Sequence, residues 1–254
     1  MRSRLIFALD VGSVREALEL VAKLAQDVGM FKVGKQLFLH AGPQIVRDIR
    51  DRGGEVFLDL KFHDIPRTVA KAGVEAARMG ARMFDLHASG SLEMMQRTVN
   101  EVGKVCRSEG LRKPKILAVT VLTSLNRDDL KRVGVMSGVE GQVVRLARLA
   151  KLAGMDGVIT SPLEIGRIRK ECGRGFIIIT PGAQAQEGDG DDPNQQRAMT
   201  SEEAVRAGAD YLMVGRPIRD ASDPVAAARD TVAAMERGLA SVERRVRLFS
   251  ERKP

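Results

Sequence analysis

Asp59, Lys61 and Asp64 set two carboxylates around one ammonium within the segment Asp59-Leu60-Lys61-Phe62-His63-Asp64-Ile65-Pro66-Arg67-Thr68-Val69. A fixed ammonium can stabilise negative charge developing on a substrate and then deliver a proton to it. Burial alone would discharge such a group. A carboxylate at ~4 Å in a medium of effective dielectric near 20 opposes this by about 4 kcal/mol, so two of them hold the cation. The segment follows Gly53-Gly54 and the run Glu55-Val56-Phe57-Leu58, which predicts a β-strand close to its end. Residues two apart on a strand point the same way, so Asp59 and Lys61 are expected on one face and Leu58 and Leu60 on the other. Pro66 stands where a following helix would begin. Charges on a strand that is to be buried are costly unless paired, which marks this strand end as a candidate site.

The elements that must carry it recur along the chain. Short apolar, β-branched runs predict strands over residues 5–10, 30–34, 55–61, 83–87, 115–122, 157–160, 176–180 and 211–215. Helical patterns fill the gaps. Ser13-x-x-Glu16 opens one with apolar Val14, Leu18, Val21, Ala25 and Val28, stopped by Gly29. Thr200-x-x-Glu203 opens another that ends at Gly208. Eight such units give about 32 residues each, the size of a (β/α)₈ repeat. No compositional break divides the chain, so the expected architecture is α/β, a single-domain (β/α)₈ TIM barrel over residues 1–254.

Barrel enzymes keep their chemistry at the C-terminal ends of the strands. Polar residues gather there: Asp10 opposite the face of Leu5, Phe7 and Leu9, Lys32 between Phe31 and Val33, then Asp59 and Lys61. Further on come His87-Ala88-Ser89-Gly90, Leu122-Thr123-Ser124 and Gly215-Arg216. A single strand-end Asp or Lys reads equally well as a cap or a salt bridge; the convergence of the first three strands does not. His87 reads first as a structural histidine, His40 and His63 as helix and loop residues, and three dispersed histidines make no metal site.

Hydrophobic content of 44% and charged content of 29% describe a soluble globular chain. Met1-Arg2-Ser3-Arg4 runs straight into a strand, and no apolar stretch approaches the roughly 18 residues of a membrane helix, so neither a signal peptide nor a membrane partner is expected. Cys106 and Cys172 read as reduced thiols, and the expected location is the cytoplasm. The net charge of +8 is spread over helical faces, Trp is absent and Tyr occurs once, so nucleic acid is not expected as a partner. The basic tail, residues 243–254, reads as a solvated end.

The stretch from Gly182 to Ala198 lacks periodicity and exceeds the roughly 12–15 residues of an ordinary loop. It follows the seventh strand, and Arg216 follows the eighth, the two places where such barrels hold phosphate. Gly215-Arg216 offers a backbone N–H and a forked guanidinium. The loop itself carries Glu187, Asp189, Asp191 and Asp192 against Arg197, a poor clamp for a dianion. Its grip would have to come from amide donors such as Gln186 or Gln195.

Ala8-Leu9-Asp10, Lys32-Val33-Gly34, Phe57 to Pro66 and His87-Ala88-Ser89-Gly90 together resemble the orotidine 5′-phosphate decarboxylase family. So do Val119 to Ser124, Thr180-Pro181-Gly182 and Val214-Gly215-Arg216-Pro217, in order along nearly the whole chain. The resemblance implies a cofactor-free, metal-free conversion of orotidine 5′-monophosphate to UMP and CO₂ in pyrimidine synthesis. It implies a catalytic set of Lys32, Asp59, Lys61 and Asp64 in a homodimer, with Asp64 and Thr68 reaching into the neighbouring subunit's site beside Ile65. Asp10 and Lys32 would bind ribose, Ser124 the pyrimidine edge with Thr123 beside it, and Gln195, Gly215 and Arg216 the phosphate. Gln184 stands where bacterial members often carry Arg, and other members use a loop Gln placed like Gln186.

Two rival classes share features of the chain. Sugar-phosphate relatives, the 3-keto-L-gulonate 6-phosphate decarboxylases and hexulose phosphate synthases, share Asp-x-Lys-x-x-Asp but hold Mg²⁺ with an acidic residue on the second strand. Here that position is Lys32, which repels a metal. A non-catalytic phosphate- or RNA-binding barrel would have no use for so costly a charge network.

Overall fold

Eight parallel strands pair in chain order and the last closes onto the first, β1-β2-β3-β4-β5-β6-β7-β8. The computed structural model describes residues 1–181 and 199–250, with side chains through Arg244. The strands are β1 Leu5–Ala8, β2 Met30–Gly34, β3 Val56–Phe62, β4 Met83–His87, β5 Lys115–Val119, β6 Gly157–Ile159, β7 Ile177–Pro181 and β8 Tyr211–Val214. The helices between them are α1 Val14–Leu24, α2 Lys35–Ala41, α3 Gln44–Asp51, α4 Pro66–Arg78, α5 Leu92–Ser108, α6 Arg127–Arg132, α7 Val139–Leu152, α8 Ile165–Cys172, α9 Ser201–Ala207, α10 Arg216–Arg219 and α11 Pro224–Ser250. A TIM barrel results, as the recurring strand pattern requires.

Strand alternation divides the core in two. Ile6, Met30, Phe57, Met83, Leu117, Val119, Ile159 and Ile179 fill the inside of the barrel. Leu5, Phe7, Phe31, Val33, Leu58, Phe84 and Leu86, among others, face outward against the helices. Phe7 and Phe31 meet edge to face at 6.2 Å there, the arrangement aromatic rings prefer. Toward the C-terminal ends the inward positions change character, to Asp10, Lys32, Asp59, Asp85 and His87. The apolar plug therefore becomes the floor of a polar mouth.

Local signals explain most boundaries. Pro66 occupies the first turn of α4, where its missing N–H costs nothing. Thr200 and Glu203 form a reciprocal capping box, and Gly208 ends α9 in the left-handed region. At α1 only half of the predicted box forms: Ser13 accepts from the Glu16 N–H, and the helix stops at Leu24 instead of running on through Val28. β5 ends at Val119, earlier than the apolar run suggested, so that Thr123 and Ser124 lie exposed in the loop before α6.

Candidate active site

Lys32 is 7% exposed and Asp59 5%, a burial that only pairing makes affordable. The Lys32 Nζ donates to Asp10 Oδ1 at 2.7 Å and lies 3.5 Å from Asp59 Oδ2. The Lys61 ammonium pairs with the other Asp59 oxygen. Asp10, Lys32, Asp59 and Lys61 thus form a chain of alternating charge across β1, β2 and β3. Burial alone would lift the Asp59 carboxyl, but its polar contact with Asp85 and the charges of Lys61 and Lys32 together hold it below the usual carboxylate range.

β3 does not keep the regular alternation expected of it. Its register with β4 shifts between Leu58 and Phe62, and Lys61 has φ 52°. That left-handed conformation costs a residue with a Cβ about 1–2 kcal/mol. At this break the Lys61 N–H donates to Asp85 Oδ1 at 2.7 Å. Asp85, on β4, is 0% exposed and escaped the sequence reading. The signal was present: a lone carboxylate in Met83-Phe84-Asp85-Leu86-His87, two residues before His87 and on the same face. Burial, reinforced by the charge of Asp59, pushes the Asp85 carboxyl well above the usual range.

Asp64 is not brought to Lys61 by its own chain. It lies exposed in the loop after β3, where its Oδ1 accepts from the Ile65 N–H at 2.6 Å. Ile65 is 66% exposed, and Thr68 is exposed on the first turn of α4. Across the mouth, Gly215 precedes α10, and an added Cβ there would lie 3.4 Å from Ala8 Cβ. Arg216 opens the helix and is exposed. Arg219 donates to the main-chain oxygen of Asp10 at 2.6 Å, tying the segment after β8 to the end of β1. Gln184, Gln186 and Gln195 lie outside the described residues.

His63 and His87 stack at 5.4 Å between ring centroids. Burial, then the neighbouring charges of His63 and Lys61, push the His87 imidazole down from 6.5 to about 4. The unfolded chain takes up this proton below pH 6.5, whereas the folded chain holds off until about pH 4. Stability from neutral His87 is therefore present above that window and lost as the pH falls through it. His87→Gln is expected to flatten the fall of Tm between pH 6.5 and pH 4 in thermal melts, and an unchanged slope would sink the assignment.

Among the described residues no three His, Cys, Asp or Glu side chains are grouped to hold a metal ion. The Lys32 ammonium lies between the Asp10 and Asp59 carboxylates. Among those residues, too, no helix is long and apolar enough to cross a membrane.

Residues 3–231 match the family model described as orotidine 5′-phosphate decarboxylase / HUMPS family. The chain is 54% identical over 223 residues to the orotidine 5′-phosphate decarboxylase of Syntrophotalea carbinolica, covering 88% of this chain and 91% of that one. It is likewise 54% identical over 223 residues to the enzyme of that name from Geobacter sulfurreducens, covering 88% and 92%. The crystal structure of orotidine 5′-phosphate decarboxylase from Lactobacillus acidophilus superposes with a TM-score of 0.80 at 33% identity, covering 91% of this chain and 98% of that one.

Proposed function

The chain belongs to the orotidine 5′-phosphate decarboxylase / HUMPS family, and from that membership we propose that it acts as a carboxy-lyase, converting orotidine 5′-monophosphate to UMP and CO₂ in pyrimidine biosynthesis. The observation that carries this reading is the alternating Asp10-Lys32-Asp59-Lys61 chain at the barrel mouth. When the bond from C6 to the carboxylate breaks, CO₂ leaves and the electron pair stays on C6, where the ring delocalises it poorly. The Lys61 ammonium stabilises that pair and then transfers its proton to C6. Asp59 keeps Lys61 and Lys32 in place and faces the departing carboxylate, a like-charge contact that disappears with CO₂.

Binding is divided between the two sides of the mouth. Asp10 and Lys32 hold the ribose hydroxyls, and Thr123 and Ser124 the pyrimidine edge. Arg216 and the Gly215 backbone receive the phosphate, with a glutamine of the preceding loop (Gln184, Gln186 or Gln195) as a further donor. Phosphate contacts remote from C6 supply binding energy that aligns the base. Asp64, Ile65 and Thr68 serve the site of a second subunit in a homodimer. Their exposure supports this.

The family also embraces sugar-phosphate barrels, and Lys32 is what separates this site from a Mg²⁺-dependent one. Ultraviolet absorbance of orotidine 5′-monophosphate with purified protein, with and without EDTA, tests the proposal. Chelator-resistant conversion to UMP is expected. No turnover by folded protein would reject the decarboxylase reading, and turnover lost to EDTA would favour the metal-dependent relatives.

A further inference from the structure

The proposed reaction leaves Asp85 without a task, although its carboxyl is wholly buried in the barrel interior. An apolar side chain would fill the space at lower cost. Two other carboxylates accept a strand N–H in this fold: Asp156 from Ile116 and Asp210 from Ile178. Each also pairs with a cation, Lys115 and Arg169 respectively. Asp85 has no ion pair of this kind among the described residues, and its Oδ2 is buried with no donor directed at it. Its Oδ1 meets the N–H of the residue that breaks the β3–β4 register, Lys61 at φ 52°.

We propose that Asp85 is a positioning residue: Oδ1 locks the main chain of Lys61 in its left-handed turn, while Oδ2 carries a hydrogen and donates it to Asp59. As a carboxylate, Oδ2 would face the Asp59 anion with nothing to accept. As an acid it satisfies both groups at once and leaves the charge of the cluster balanced. The upward displacement of the Asp85 carboxyl by burial and by Asp59 is in accord. The bond through Oδ1 fixes where the Lys61 side chain starts, and the bond through Oδ2 fixes the carboxylate against which it ends. The reach of the ammonium toward C6 is set between them. This deepens the decarboxylase reading and rests on it.

Asp85→Asn keeps an oxygen for the Lys61 N–H and an N–H for Asp59; Asp85→Leu keeps neither. In Asp85→Leu kcat is expected to fall about 100-fold, the order of loss for an ångström of misplacement, with KM little changed. Asp85→Asn is expected to recover most of kcat. Equal losses in the two variants would overturn the proposal, as would full kcat in Asp85→Leu. Should Asp85→Leu not fold, infrared spectra decide. The parent protein is expected to show the carbonyl stretch of a buried carboxylic acid at neutral pH that Asp85→Asn lacks. Its absence from the parent overturns the proposal. Parental turnover, measured in the same series, separates the two readings: an inactive parent rejects the decarboxylase assignment, while the infrared band still judges Asp85.

Discussion

Lys61→Ala is expected to lower kcat by at least about 10⁴-fold, because in the proposed reaction one side chain supplies both the proton and the charge that stabilises the electron pair on C6. The fold should survive the change. The Lys61 side chain is 27% exposed, and Asp59 keeps Lys32 at 3.5 Å, so Asp59 is not left without a cation. Alanine also carries a Cβ, so the left-handed turn is neither relieved nor worsened by the replacement. The ultraviolet assay reads the rate, and calorimetric binding of UMP reads whether the pocket persists. A variant that binds UMP as the parent does but turns over within tenfold of it would remove Lys61 from the chemistry.

The second large effect is a recovery. Asp64→Ala and Lys61→Ala are each expected to be inactive alone, yet mixed subunits that exchange should regain about one quarter of parental activity. In the proposed homodimer half of the randomly reassorted dimers are mixed, and each mixed dimer holds one site with both residues intact. The expectation rests on the position of Asp64, which in a single chain bonds the Ile65 N–H beside a half-apolar, exposed loop. Absence of recovery after exchange has been demonstrated, by mass spectrometry of differently tagged subunits, would mean that Asp64 does not act across an interface.

The barrel was legible because each strand writes its inward and outward faces in alternate letters. Leu5, Phe7 and Leu9 face the helices and Ile6 the interior, as period-two reading predicts. Lys32 and Asp59 stood out because a charge in an apolar strand must find a partner, and they find each other. What stayed hidden depends on distance and on broken regularity. The bulge at Lys61 leaves no mark in Asp59-Leu60-Lys61, since only the pairing of β3 with β4 defines it. Asp85 has no charged partner in its own strand, and it meets a main-chain N–H that only the β3–β4 register break brings to it. At α1, Val28 continues the helical spacing on paper, yet its N–H closes the chain onto Leu24 at 3.1 Å after the helix has ended.

The bond from Arg219 to the main chain of Asp10 spans nearly the whole polypeptide, and β1 completes its pairing only with β8. During synthesis β1 must therefore wait with one edge open until some 200 further residues have left the ribosome, about 10–40 s at about 5–20 residues per second. Over that interval the strand that leads to Asp10 is a template for pairing with other chains. The ring of strands is thus sealed last, and the barrel is complete only when β8 arrives beside β1.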